Sequence, residues 1–164
     1  MMKEREILIR FKEYKPEELI PEDKSLVNIA IESASNAYAP YSHFRVGAAV
    51  LLSNGLVVKG NNQENAAYPS GLCAERVAMF YANANYPESS VAAIAVVVVD
   101  SEGRVIEQNI SPCGSCRQAL AESEMRFEKP IKVLLTSKKS VLIFNSIEDL
   151  LPLSFNQGDL GLSK

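Results

Sequence analysis

Residues 71–76 read Gly-Leu-Cys-Ala-Glu-Arg, and residues 111–118 read Ser-Pro-Cys-Gly-Ser-Cys-Arg-Gln. Together these two segments contain every cysteine of the 164-residue chain, namely Cys73, Cys113 and Cys116. A Cys-x-x-Cys pair with a third thiol is a good three-ligand set for zinc, which binds thiolate sulfur at about 2.3 Å. A structural zinc site takes four protein ligands, whereas a catalytic site keeps one position open for water. The pattern therefore favours a catalytic metal centre.

Glu75 follows the first cysteine by two positions, which places a carboxylate within reach of a water at the metal. Both segments lie at predicted helix starts, over residues 73–83 and 113–123. Unpaired backbone N–H groups at such ends stabilise thiolates and lower their pKa values. Spacing alone leaves a structural zinc site and three buried thiols as alternatives, and Glu75 as an ordinary acid of a first helical turn.

The composition indicates one folded domain with neither a nucleic-acid nor a membrane partner. Hydrophobic residues make up 47% of the chain, the net charge is −3 and the sequence pI is about 5.3. Nucleic-acid-binding domains are usually basic, and no apolar run approaches the roughly 18 residues of a membrane span. Residues 1–10 lack the apolar core of a signal peptide, and three cysteines cannot pair completely. We therefore expect a reduced, cytoplasmic enzyme.

The hydrophobic pattern predicts the element order α-β-β-α-β-α-β-β-α. A helix begins at Pro21 and stops before Pro40, and strands over residues 44–52 and 56–60 flank a turn at Asn54 and Gly55. The apolar run 93–99 is typical of a strand covered on both faces. Further strands are predicted over 131–136 and 141–144, and a short helix over 147–151 with Ser146 as its cap. The expected fold class is α/β, an α-β-α sandwich with a five-stranded mixed sheet flanked by helices.

We predict two parts along the chain. Residues 1–20 form an N-terminal extension, either an edge strand or a mobile tail, because residues 7–11 have the β-branched and aromatic content of a short strand. Residues 21–164 form a single catalytic domain, since no internal repeat, linker or low-complexity segment interrupts them.

The two cysteine segments resemble the cytidine deaminases in their homotetrameric, three-cysteine form. The wider zinc deaminases share a Pro-Cys-x-x-Cys motif and a glutamate two residues after the first ligand. The resemblance extends to residues 39–44 and 46–49, which are similar to the family's first strand, and to residues 62–69, which are similar to its nucleoside-binding loop. Residues 150–155 resemble its C-terminal segment. The match covers residues 26–160, nearly the whole chain.

The resemblance implies roles for individual residues. Cys73, Cys113 and Cys116 would bind one Zn²⁺ per chain, and Glu75 would be the catalytic proton carrier. Arg76 would donate hydrogen bonds to the thiolate sulfurs, with Gln118 in support. The residues implied to contact the nucleoside are Phe44, Asn62, Glu64, Ala74 and Phe155. The aromatic ring at position 155 would reach the active site of a neighbouring subunit in a homotetramer with shared active sites.

The implied activity is zinc-dependent hydrolytic deamination of cytidine and deoxycytidine to uridine and deoxyuridine, with release of ammonia, in pyrimidine salvage. One alternative is a related deaminase of another cytosine nucleoside, such as blasticidin S. A second alternative is a non-catalytic zinc-binding module, against which the retained Glu75 argues. A carboxylate from Glu64 at the ribose 3′-hydroxyl would repel a 3′-phosphate, which favours a free nucleoside over a polynucleotide.

Overall fold

The computed structural model describes residues 2–161 and contains one mixed sheet with helices on both faces. The three helices are α1 (Pro21–Ala34), α2 (Ala74–Asn85) and α3 (Gly114–Phe127). The six strands are β1 (Lys12–Tyr14), β2 (Arg45–Leu52), β3 (Val57–Asn61), β4 (Val91–Val99), β5 (Lys132–Thr136) and β6 (Val141–Phe144). The predicted α-β-α sandwich is confirmed, with six strands in place of five.

The sheet is ordered β1-β6-β5-β4-β2-β3. Strands β4 and β5 pair in parallel, and every other neighbouring pair is antiparallel. β4 is central and consists almost wholly of alanine, valine and isoleucine. Its near-continuous burial follows from the helices that cover both faces of the sheet.

The sixth strand comes from the N-terminal extension, at a different place from the one predicted. Residues 7–11 are not a strand, and the pairing with β6 begins at Lys12, which lies opposite Ile143. The Phe11 ring packs on Phe144 with 5.2 Å between ring centroids. Residues 12–14 therefore belong to the sheet. The predicted boundary between an N-terminal extension, residues 1–20, and a catalytic domain, residues 21–164, stays a prediction. Met1 and residues 162–164, at the two ends of the chain, lie outside the described residues.

The two faces of the sheet are covered by different helices. Leu26, Val27 and Ala30 of α1 pack on one face, together with Ala49 of β2. Both cysteine-bearing helices, α2 and α3, pack on the opposite face, with Ala48 of β2. Because successive strand residues point to opposite faces, Ala48 and Ala49 belong to different cores, with α1 on one side of the sheet and α2 and α3 on the other.

Two glycines allow the helices to lie close to the sheet. A Cβ atom added at Gly47 would lie 2.0 Å from the main-chain oxygen of Ala30, and one at Gly60 would lie 2.4 Å from that of Ala74. Any larger residue would therefore push α1 or α2 outward. Gly60 in particular sets the position of the first turn of α2, which carries Glu75.

The C-terminal part is less regular than predicted. The helix expected over 147–151 is a single 3₁₀ turn, Ile147–Asp149, capped by the Ser146 side chain, which accepts a hydrogen bond from the Glu148 amide. A second 3₁₀ turn spans Gln157–Leu160. Among residues 2–161, no helix has the length and apolar character needed to cross a membrane.

Candidate metal centre and active site

Two helix N-termini bring the three cysteines together. Cys73 is the residue immediately before α2, and Cys113 is the residue immediately before α3, both with extended backbone. Cys116 lies in the first turn of α3 and is fully buried. Since α2 and α3 pack side by side on one face of the sheet, their first turns meet at a common point.

The three sulfur atoms all lie within 4.8 Å of one another. The Cys73 and Cys113 sulfurs are 3.8 Å apart, and the Cys113 and Cys116 sulfurs are 3.5 Å apart. A tetrahedral zinc site with bonds of about 2.3 Å places its sulfurs roughly 3.8 Å apart. The donor set therefore fits Zn²⁺ in both chemistry and spacing. Among the described residues, no fourth His, Cys, Asp or Glu belongs to the cluster.

The thiols are electrostatically unequal. A hydrogen bond from the Cys116 thiol, followed by that from the Arg76 guanidinium, lowers the pKa of Cys73 to about 5. The pKa of Cys116 is raised, because its thiol donates to Cys73 and is itself buried. Nη2 of Arg76 lies 3.6 Å from the Cys73 sulfur. The pKa of Arg76 is raised in turn by that contact, so this side chain stays cationic beside the sulfurs.

Glu75 places a buried carboxylate beside the thiols. Its side chain is in the first turn of α2, and the residue is only 5% exposed. Burial raises the pKa of this carboxyl, and the negative charge of Cys73 raises it further. A carboxyl whose pKa is moved toward neutrality is suited to accept and then return a proton near pH 7.

A cleft of about 830 Å³ opens over this arrangement. Such a volume is within the range of small-molecule pockets. Cys73, Cys113 and Glu75 line this cleft. The other lining residues include Tyr41, Ser42, Phe44, Asn62, Glu64, Tyr68 and Ile110. The cleft thus joins the thiol cluster to three of the residues expected to contact a nucleoside.

The side chains of Asn62 and Glu64 form hydrogen bonds with main-chain groups of residues 41–46. Oδ1 of Asn62 accepts a hydrogen bond from the Val46 amide at 2.8 Å, and its Nδ2 donates to the Phe44 carbonyl at 2.9 Å. Oε2 of Glu64 accepts from the Tyr41 amide at 2.9 Å. Hydrogen bonding, chiefly from the Ser42 side chain, lowers the pKa of Glu64, so this half-buried carboxyl is ionised at neutral pH. Both side chains therefore fix the loop that carries Phe44.

The other two expected contacts are placed differently. Ala74 is completely buried in the first turn of α2, so its side chain is not on the surface of the cleft. Phe155 is 59% exposed and is not among the cleft-lining residues in the described part of the chain. A site confined to one chain would therefore be built without the Phe155 ring.

The first turns of α3 hold the C-terminal segment. Nε2 of Gln118 donates to the Phe155 carbonyl at 2.7 Å. The Gln118 side chain therefore binds the C-terminal segment, residues 150–155, and the proposed support of Arg76 by Gln118 stays a prediction. Arg117 donates from Nε to the Pro112 carbonyl and from Nη1 to the Leu150 carbonyl, both at 2.8 Å. The segment 150–155 is consequently attached at both ends to the helix that carries Cys116.

Sequence reasoning did not single out Arg117 or Ser42. Arg117 lies in the second cysteine segment, directly after Cys116. Ser42 lies in residues 39–44, two residues before Phe44. Their positions in those motifs were the available signal. Their partners, Leu150 and Glu64, are 33 and 22 residues away, and no local pattern reveals such pairs.

Comparison with a family model gives a match over residues 20–128, described as the cytidine and deoxycytidylate deaminase zinc-binding region. This range contains all three cysteines, Glu75 and the cleft-lining residues Phe44, Asn62 and Glu64.

Two relatives extend the match in sequence. A cytidine deaminase of Halalkalibacterium halodurans is 38% identical over 135 residues, which cover 82% of this chain and 95% of that protein. A cytidine deaminase of Sporosarcina psychrophila is 40% identical over 144 residues, which cover 88% of this chain and 93% of that protein. The likeness therefore runs far beyond the metal-binding motifs.

Solved structures give the same result for the fold. The cytidine deaminase of Burkholderia pseudomallei superposes with a TM-score of 0.67 at 40% identity, covering 80% of this chain and 97% of that one. The cytidine deaminase of Mycobacterium tuberculosis superposes with a TM-score of 0.64 at 31% identity, covering 84% and 98% of the two chains.

Proposed function

The chain belongs to the cytidine and deoxycytidylate deaminase family, and on that premise we propose that it deaminates free cytidine and deoxycytidine. The products are uridine or deoxyuridine and ammonia. The observation that carries the proposal is the buried Glu75 carboxylate beside a cluster of three thiols, of which Cys73 and Cys113 line the same cleft as Glu75. A non-catalytic zinc module has no need of that carboxylate.

Cys73, Cys113 and Cys116 are the residues that hold zinc. When bound, zinc supplies Lewis acidity, which lowers the pKa of water at the site toward ~7. Arg76 keeps a positive charge against the Cys73 sulfur and offsets part of the negative charge of the three thiolates.

Glu75 moves the protons. Its carboxylate accepts one proton from the attacking water and delivers it to ring N3, while the water oxygen bonds to C4. The carboxylate then carries the second water proton to the exocyclic amine, the C4–N bond breaks and ammonia leaves. One carboxylate suffices because both transfers start at the water and end on the same ring edge. Burial supports this role, since it excludes bulk water and raises the Glu75 pKa.

The nucleoside is oriented by the cleft above the metal centre. We propose that Phe44 packs against the pyrimidine and that Asn62 and Glu64 contact the ribose, chiefly its 3′-hydroxyl. The main chain of Ala74 and Glu75, in the first turn of α2, reads the polar edge of the base. An ionised Glu64 repels a 3′-phosphate, so the site selects a nucleoside over an internal nucleotide of DNA or RNA.

We further propose a homotetramer whose active sites are shared. Phe155 is exposed outside the cleft of its own chain, and Phe80 and Tyr81 are exposed on α2. Such aromatic surface is typical of an interface, and the proposed partner is a second copy of this chain. We place this activity in pyrimidine salvage in the cytoplasm, which agrees with a chain that carries three free thiols.

The test is cytidine turnover measured alongside zinc content per chain. We expect one zinc per active chain and loss of cytosine absorbance with cytidine and deoxycytidine. A substrate panel with a blasticidin-type nucleoside and single-stranded DNA separates the alternatives. Zinc without turnover on any cytosine nucleoside would contradict the assignment, and efficient deamination of single-stranded DNA would contradict the role of Glu64.

A further inference from the structure

The Ser42 hydroxyl lies between the carboxylate of Glu64, the proposed ribose contact, and the backbone amide of Phe44, the proposed pyrimidine contact. Its Oγ donates a hydrogen bond to Oε1 of Glu64. The same oxygen accepts a hydrogen bond from the Phe44 amide at 3.0 Å. A hydroxyl has one proton to donate, and the incoming amide proton occupies a lone pair on Oγ. The Ser42 proton is thereby left to point at Glu64.

The other carboxylate oxygen of Glu64 is held by the same loop. Oε2 accepts from the amides of Tyr41 at 2.9 Å and Ser42 at 3.3 Å. An ionised carboxylate offers about four lone-pair positions. Three are therefore taken by the loop, which leaves about one for a substrate hydroxyl and sets the direction from which that hydroxyl approaches.

The turn that presents Ser42 is conformationally demanding. His43, between Ser42 and Phe44, has φ = 56°, in the left-handed region that non-glycine residues seldom occupy. Side-chain hydrogen bonds of serine to a backbone amide two residues on stabilise such turns. The His43 amide donates in addition to the Ala39 carbonyl at 3.1 Å. The turn is thus held in one shape by contacts on both sides.

From these contacts we propose that Ser42 is a positioning residue, which fixes the Glu64 carboxylate in the orientation that receives the ribose 3′-hydroxyl. This inference rests on the proposed function of the cleft. Ser42 itself does not contact the substrate in this proposal. It affects substrate binding only by orienting the Glu64 carboxylate. The lowered pKa of Glu64 agrees with this arrangement, since the hydrogen bond from Ser42 is its largest cause.

The experiment compares Ser42→Ala, Ser42→Thr, Glu64→Gln and the double variant Ser42→Ala/Glu64→Gln. Ser42 is exposed, so both replacements fit without repacking. We expect Ser42→Ala to raise KM for cytidine about tenfold, or about 1.4 kcal/mol, with kcat within twofold of wild type. Threonine keeps the hydroxyl and should restore KM. The double variant should have the KM of Glu64→Gln to within twofold, because a residue that acts through Glu64 has no effect once Glu64 is changed.

Two results would overturn the inference. One is an unchanged KM in Ser42→Ala while wild type turns cytidine over. The other is a double variant whose KM increase is the product of the two single increases. Absence of turnover in the wild-type enzyme would instead contradict the proposed function.

A second measurement needs no activity. In a ¹³C NMR titration, the Glu64 carboxyl pKa should rise toward its ordinary value in Ser42→Ala and stay low in Ser42→Thr. His43 is the titratable neighbour that also lowers this pKa, so the titration is repeated in His43→Gln. Equal Glu64 pKa values in wild type and Ser42→Ala would overturn the inference.

Discussion

The guanidinium of Arg76 donates a hydrogen bond to the sulfur of Cys73 across 3.6 Å, three residues along the same chain at the start of α2. A cation held against a thiol favours the thiolate and lowers its pKa. Arg76 is not a metal ligand in the proposed site, but its contact with the sulfur helps to lower the pKa of Cys73.

The pKa of Cys73, about 5, is lowered chiefly by the hydrogen bond from the Cys116 thiol and then by that from Arg76, so Arg76→Gln should raise it part of the way toward the ordinary thiol value. Since only the thiolate reacts with iodoacetamide, alkylation of Cys73 in the metal-free wild-type protein should persist down to about pH 5 and fall off below it. In the variant the fall-off should occur at higher pH. Arg126→Gln is the matched control, because that guanidinium donates to the Pro87 carbonyl far from the thiols. The same midpoint in all three proteins would remove this role of Arg76.

Glu75→Gln should keep the fold and the metal but lose turnover. A proton carrier in the transition state contributes about 10²–10⁴-fold to rate, and the amide cannot accept a proton from water. Zinc per chain and kcat are measured together. Glu122→Gln, an exposed glutamate of α3, serves as the control and should retain wild-type kcat. If Glu75→Gln keeps more than a tenth of the activity, another group moves the protons.

Gly60→Ala should displace the first turn of α2. The added Cβ would lie 2.4 Å from the Ala74 carbonyl oxygen, so the helix must move away from the sheet. Overpacking of this kind costs about 1–3 kcal/mol in the free energy of unfolding. We expect a lower Tm, together with a lower zinc content because Cys73 moves with the helix.

Gly114→Ala is the matched control for that substitution. A Cβ at Gly114 meets nothing within 4 Å, and the residue is helical. Gly114 is the first residue of α3, where alanine meets no clash and reduces the freedom of the unfolded chain, so this variant should keep or raise Tm. Equal Tm values for the two variants would show that the Gly60 contact relaxes without cost.

Glu64→Gln should change the preference between cytidine and cytidine 3′-monophosphate. The Glu64 carboxylate is ionised at neutral pH and would repel a 3′-phosphate, whereas the amide would not. We expect the kcat/KM ratio of nucleoside to 3′-nucleotide to fall at least tenfold in the variant. The measurement is a side-by-side rate comparison at low ionic strength, where charge repulsion is least screened. An unchanged ratio would place the 3′ position away from Glu64.

Mixing Phe155→Ala with Glu75→Gln should restore activity if the Phe155 ring serves a neighbouring site. Phe155→Ala leaves Glu75 intact, and Glu75→Gln leaves Phe155 intact, so mixed tetramers contain some complete sites. We expect the mixture, after subunit exchange, to exceed the summed activity of the separate variants. The double variant mixed with wild type corrects for dilution. No gain, with exchange confirmed by mass spectrometry of labelled chains, would confine Phe155 to its own subunit.

Much of the molecule was predictable because its signals are local. The apolar strand predicted over 93–99, which begins two residues earlier at Val91, the turn at Gly55 and the proline-started helix at Pro21 each follow from a few adjacent residues. The convergence of Cys73 and Cys113 was predictable for a related reason: both precede helices, and helices packed on one face of a sheet bring their ends together.

The parts that were not predictable depend on contacts distant in sequence. Residues 7–11 have a better strand composition than residues 12–14, yet pairing with β6 selects Lys12–Tyr14, while Phe11 packs against Phe144. The hydrogen bonds of Asn62 to the Phe44 loop are of the same kind, since their partners lie 16 and 18 residues away. Composition cannot encode which distant backbone group a side chain will meet.

The three-residue strand β1 also has a consequence for solubility. Without it, the apolar strand Val141–Phe144 would present a row of free N–H and C=O groups at the border of the sheet. Such borders template pairing with other chains and lead to aggregation. Lys12 and Glu13 place charge on the new border, where it discourages that association. We therefore expect β1 to reduce strand pairing between chains at this edge of the sheet.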